Sequence, residues 1–140
     1  MAKVYRHVPN GRDEYVGRID PDGKVYAVRT GPDDYVGWVN YEKSEIYADR
    51  IGPDNYLGRV EPETGRIYRH RVGPDDYLGR VATSGELYRH RGMAADTYLG
   101  RVTDMRNAVE GAAALFFFFA NEEKEEEPAP EETNKEGNSA

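Results

Sequence analysis

The chain contains no cysteine, which excludes disulfides, thiolate metal sites and cysteine nucleophiles. Packing and hydrogen bonds alone must hold the fold. Serine is scarce as well: Ser44 and Ser84 fall in turn-like stretches and Ser139 lies near the end of the chain, so none sits in a nucleophilic arrangement with a base. The longest apolar run, Ala112 to Ala120, has nine residues. As a helix it extends about 13.5 Å against a bilayer core of about 30 Å, too short to span. The opening residues Met1-Ala-Lys-Val-Tyr-Arg6 carry no apolar signal region, and the expected location is cytoplasmic.

Net charge is missing from most of the chain, although the whole carries -7. Residues 1–106 hold 17 basic and 17 acidic residues, whereas residues 107–140 hold 2 and 9. The acidity therefore belongs to the C-terminal segment. With 140 residues, 38% of them hydrophobic, one domain with a modest core is expected.

What is present is a repeat. Tyr-x-Gly returns at Tyr15, Tyr35, Tyr56, Tyr77 and Tyr98, at spacings of 20, 21, 21 and 21 residues, so one supersecondary unit recurs. Each unit reads as two short strands. Pro21-Asp-Gly23 and Thr83-Ser-Gly85 fit a type I turn closed by a left-handed glycine, and Pro62-Glu-Thr-Gly65 is one residue longer. Tyr41-Glu-Lys-Ser44 lacks the glycine. Between units, Gly31-Pro-Asp-Asp34, Gly52-Pro-Asp-Asn55 and Gly73-Pro-Asp-Asp76 place proline where its fixed φ starts a turn. The array begins in mid-unit at Lys3-Val-Tyr-Arg-His7 and ends in mid-unit at Tyr98-Leu-Gly-Arg-Val102, a half-unit without a partner. An all-β antiparallel meander of about ten short strands follows, as a single-layer or curved sheet, with a solenoid in which equivalent strands stack directly as the rival.

Turn length sets register. Pairing Ile19 with Val25, Val39 with Ile46, Val60 with Ile67 and Val81 with Leu87 puts Arg18, Trp38, Arg59 and Arg80 opposite Tyr26, Tyr47, Tyr68 and Tyr88. The same register, carried outward, sets Tyr15, Tyr35, Tyr56 and Tyr77 against Arg29, Arg50, Arg71 and Arg91. Opposed side chains lie within about 5.5 Å, and a guanidinium over a ring contributes about 0.5 to 1 kcal/mol when exposed. Glycines 17, 37, 58 and 79 leave a gap in the sheet surface for a neighbouring Tyr or Arg stem to cover.

Over residues 4–102 the pattern resembles MORN repeats, whose units of slightly over twenty residues also carry Tyr-x-Gly at a strand start, a hairpin turn, and a glycine shortly before the next Tyr-x-Gly. The resemblance implies a long curved sheet that binds proteins or acidic lipids, and it brings no catalytic residues.

The organisation expected is a hairpin-repeat domain over 1–103, a helix over 104–121 capped by Asp104, and a disordered acidic tail over 122–140. Phe116, Phe117, Phe118 and Phe119 sweep roughly 300° of a helix, more than one face can bury. The expectation is that the helix caps the last edge strand, buries two of these rings, and uses the exposed pair for self-association or partner docking.

Chemistry is sparse. His7, His70 and His90 share one repeat position, but equivalent strands of a meander lie roughly 9 to 10 Å apart while ligands of one zinc lie about 2 Å from it; no metal site is expected. The recurring Asp pairs are turn formers and fall short of the six to eight ligands of a calcium cage. Tyr and Arg interleaving suggests single-stranded nucleic acid, yet the repeat domain has no net basic footprint. The reading is a non-enzymatic module without cofactor, binding a protein partner through Tyr26, Trp38, Tyr47, Arg59, Tyr68, His70, Arg80, Tyr88 and His90. A purely structural or self-assembling repeat protein is the alternative, and an acidic-lipid binder the second alternative.

Overall fold

The computed structural model describes residues 1–50 and 55–119. The expectation of a disordered tail over 122–140 lies outside the described residues. Ten strands run in sequence: β1 (Ala2–Arg6), β2 (Glu14–Ile19), β3 (Lys24–Ala27), β4 (Asp34–Asn40), β5 (Glu45–Ala48), β6 (Tyr56–Val60), β7 (Arg66–Arg69), β8 (Asp76–Val81), β9 (Glu86–Arg89) and β10 (Thr97–Thr103). They pair antiparallel in meander order, and β1 also pairs with β10, which closes the sheet into a barrel.

Within each hairpin the register follows from turn length. Ile19 pairs with Val25, Val39 with Ile46, Val60 with Ile67 and Val81 with Leu87. In the turn lacking glycine, Ser44 takes the left-handed conformation, with φ of 57°. The mid-unit start and end of the array now have a meaning. Tyr5 pairs with Arg101 and Val4 with Val102, the same pairing the four hairpins make, so the terminal half-units form a fifth hairpin split between the two ends of the chain. β10 is therefore not an edge strand, and its half-unit has a partner.

Between units, all five pairings shift register at Tyr-x-Gly, where the middle residue (Val16, Val36, Leu57, Leu78 or Leu99) is a bulge. A bulge adds twist and bends the strand, and five of them curl the sheet until its ends meet. On this side Tyr15, Tyr35, Tyr56, Tyr77 and Tyr98 stand opposite Tyr5, Tyr26, Tyr47, Tyr68 and Tyr88 of the adjoining unit. On the hairpin side the ladders end where Gly17 meets Ala27, Gly37 meets Ala48, Gly58 meets Arg69 and Gly79 meets Arg89, short of the expected pairs of Tyr15, Tyr35, Tyr56 and Tyr77 with arginine.

The lumen is filled by the chain itself. Helix α1 (Ala108–Ala114) continues as a π-helical turn over Leu115–Phe119. Its cap is Asn107, whose side chain accepts from the Val109 N–H. Asp104, the expected cap, instead turns the chain back from β10 with φ of 57°. Thinness lets the helix enter: Ala112, Ala113 and Ala114 are fully buried, and a Cβ on Gly111 would stand 2.8 Å from Val81 Cβ. Ile19, Val25, Ile46, Ile67, Leu87 and Val102 pack on it from around the wall.

Below this narrow section the four phenylalanines fan out. Phe118 reaches Gly17 on β2, Phe117 reaches Gly37 on β4, Phe116 reaches Gly58 on β6 and Phe119 reaches Gly100 on β10. Consecutive residues thus meet alternate strands in order around the barrel. Those strands stand about 72° apart on average in a ten-stranded barrel. An α-helix advances about 100° per residue and an i→i+5 helix less, so the π turn brings the ring spacing closer to that of the wall. The gaps over Gly17, Gly37, Gly58 and Gly100 are filled from inside by a phenylalanine, and not by a Tyr or Arg stem outside; at Gly79 the nearest atoms are the backbone of Tyr88 and Arg89. None of the four rings is exposed. The expectation of a helix capping an edge, with two rings left for association, is corrected: a closed wall offers every direction of the helix something to pack against.

One prediction follows from this fit. Gly37→Val is expected to destabilise the barrel by more than about 3 kcal/mol, because even its Cβ would overlap the Phe117 ring and the Tyr47 carbonyl, and overpacking alone costs about 1 to 3 kcal/mol. Urea unfolding checks it; a midpoint within error of the wild type would contradict the seating of Phe117.

Candidate functional site

Because successive strand residues alternate between faces, the residue after each inward glycine points outward; before it, the bulge shifts the alternation by one and turns the tyrosine of Tyr-x-Gly outward as well, and closure joins these positions into a belt. Within hairpins, Arg18 lies over Tyr26 at 4.2 Å, Arg59 over Tyr68 at 4.5 Å and Arg80 over Tyr88 at 4.2 Å. At the seam Arg101 lies over Tyr5 at 4.4 Å. In the second hairpin Trp38 replaces the arginine and stacks on Tyr47, 4.3 Å apart and 5° from parallel. Between units, tyrosine meets tyrosine: Tyr5 with Tyr15, Tyr26 with Tyr35, Tyr47 with Tyr56, Tyr68 with Tyr77 and Tyr88 with Tyr98, at 5.4 to 5.7 Å. Every strand pairing of the barrel carries one such contact, so the belt has no break.

The arginines are held by acids from the Pro-Asp-Asp turns and their relatives. Arg18 pairs with Asp33, Arg59 with Asp75 at 3.2 Å, Arg80 with Asp96 at 3.3 Å and Arg101 with Asp13 at 3.1 Å. Three of these acids also face a histidine: His7 with Asp13, His70 with Asp75 and His90 with Asp96, at 3.5, 3.9 and 3.7 Å. The histidine rings rest on Tyr98, Tyr56 and Tyr77 at 5.0, 4.9 and 4.5 Å. For Asp13, loss of water disfavours the charge, but hydrogen bonds from Arg101 and His7 outweigh it and hold the carboxyl below its usual range. Tyr47 is pushed up to about 12, first by its hydrogen bond to Glu45 and then by burial.

The structure thus brings Tyr26, Trp38, Tyr47, Arg59, Tyr68, His70, Arg80, Tyr88 and His90 onto one outer wall, and places Phe116, Phe117, Phe118 and Phe119 within the lumen. Sequence reasoning missed Arg101 and Tyr5, which join the belt only through closure. It also treated Asp75 as a turn former alone and passed over Asp96, although each stands sixteen residues after the arginine it binds, a spacing that the repeat displays.

A second polar group went unnoticed at the end of the barrel where the helix enters. Glu110 is fully buried. It accepts from the Tyr41 hydroxyl at 2.5 Å, from Arg106 Nη2 at 2.6 Å and from the Arg106 backbone N–H at 2.8 Å. Burial, followed by the hydrogen bond to Glu110, raises the pKa of Tyr41. The signal was a lone carboxylate in an otherwise apolar helix. Its contacts tie the helix to the β4–β5 turn.

No protein family matches the chain, and comparison with the curated proteins and with the solved structures finds no match either.

Proposed function

We propose that the protein is a non-enzymatic binding module that engages a protein partner through its outer wall. The observation that carries this reading is the division of residue types between the two faces. The lumen, where a barrel of this size would hold a ligand, is occupied by the chain's own helix and phenylalanines. The outside presents half-buried Tyr, Trp and Arg in one belt, the types enriched at protein interfaces. The resemblance to MORN repeats implies a binding role as well. Strands of four to seven residues with arginines on the outer face are short of the about nine to eleven that a membrane-crossing strand needs, which favours a partner in water.

Capture by the intact chain followed by cross-link mapping tests the reading. Contacts are expected along the belt, Arg59 to His90 included, and should be lost when Arg59 and Arg80 are both changed to Glu. Contacts confined to the two ends of the barrel would overturn it, and so would turnover of the captured molecule.

A further inference from the structure

The repeat is broken at one place on the wall, in the second hairpin. The split hairpin at the seam and the other three each carry a guanidinium on a tyrosine, tied to a turn aspartate. The second carries Trp38 on Tyr47. The position two residues beyond that tyrosine is His7, His70 or His90 in three of the hairpins and Val28 in the first, but the acid Asp49 here. Asp49 is exposed and makes no ion pair among the described residues, though its charge, after burial, helps raise the pKa of Tyr35. The turn aspartate that binds arginine elsewhere is kept in the sequence as Asp54.

The result is an arc of aromatic side chains, Tyr35, Trp38, Tyr47 and Tyr56, with no guanidinium stacked on it among the described residues; it adjoins Tyr26, which carries Arg18. Tyr26 and Tyr35 lie 5.6 Å apart, Trp38 and Tyr47 4.3 Å, Tyr47 and Tyr56 5.4 Å. Charge differs here as well. Residues 35–54 hold four acids and two bases, whereas the corresponding residues 56–75 hold three acids and four bases. On the β3 side Lys24 stands across from Trp38, outnumbered by Asp22, Glu45 and Asp49.

We infer that this hairpin is the docking point for an arginine presented by the partner, which stacks on the outer face of the Trp38 indole and pairs with Asp49. The inference rests on the reading of the outer wall as a binding surface and names the chemistry the partner must supply. Tyr47 covers one face of the indole, so the guanidinium takes the other. Trp is the strongest cation–π acceptor among the side chains, and a planar guanidinium stacks where an ammonium cannot. The incoming group reproduces in trans what Arg59 does in cis on Tyr68: ring below, carboxylate beside.

The test uses the intact chain and a short arginine-glycine peptide, with a citrulline-glycine peptide as the neutral, isosteric control. Trp38 is the single tryptophan, so its emission reports on the site alone. A saturable change with the arginine peptide is expected, and none with citrulline. Asp49→Asn should weaken binding at least about fivefold. Trp38→Arg should abolish it by calorimetry while leaving the melting curve close to wild type, because arginine already occupies that position in the other units. Equal binding of the citrulline peptide would overturn the inference. So would unchanged affinity in Asp49→Asn, or an emission change with phosphatidylserine vesicles and none with the arginine peptide. If the peptide fails but partner cross-links still map to the belt, the inference falls and the binding role stands.

Discussion

Phe119→Ala is expected to lower the free energy of unfolding by about 3 to 5 kcal/mol. Phe119 is 1% exposed, and its Cζ lies 3.1 Å from where a Cβ on Gly100 would stand. Two features put the loss at the upper end for a buried aromatic. The surrounding wall is hydrogen-bonded into a closed ring, so it cannot fold inward over the space left by the ring, and a cavity that does not collapse costs its full share. Gly100 contributes no side chain to move in. Equilibrium urea unfolding of the intact chain measures it, with the midpoint as the reading and an unchanged m-value showing that the native barrel persists. A loss under about 1 kcal/mol would mean that the helix packs outside the wall.

The second large effect is expected at the buried carboxylate. Arg106→Ala removes the counter-charge of Glu110 and should cost about 3 kcal/mol, the lower end for breaking a buried pair, since the guanidinium side is 40% exposed. The backbone N–H of residue 106 and the Tyr41 hydroxyl remain as donors, but neither supplies a full charge. The combined change Arg106→Met with Glu110→Leu should lie closer to wild type than Arg106→Ala alone, because the unpaired charge goes with its partner. Thermal or urea unfolding of the three proteins decides it. A double variant less stable than the single would show that the pair itself, and not the stranded carboxylate, accounts for the loss.

Much of this barrel is legible in the residue order, and the rest is not, for a physical reason that separates the two. Turn chemistry acts over a few residues: the length between Ile19 and Val25 or between Val60 and Ile67 sets which side chains face each other, so the hairpins and the pairs Arg18–Tyr26, Trp38–Tyr47, Arg59–Tyr68 and Arg80–Tyr88 follow from local rules. The mid-unit ends were visible too, though not their meeting. Closure joins Lys3-Val-Tyr-Arg6 to Gly100-Arg-Val-Thr103 across nearly the whole chain, and it depends on twist accumulated over ten strands and on five bulges. No turn length encodes a bulge, since Tyr-x-Gly reads the same with one residue bulged or paired. The helix shows the same split. Its apolar character all round was plain from Phe116 to Phe119, and an all-round apolar helix must be surrounded; that the surroundings would be the chain's own wall, with a glycine opposite each ring, was decided only once the sheet had closed.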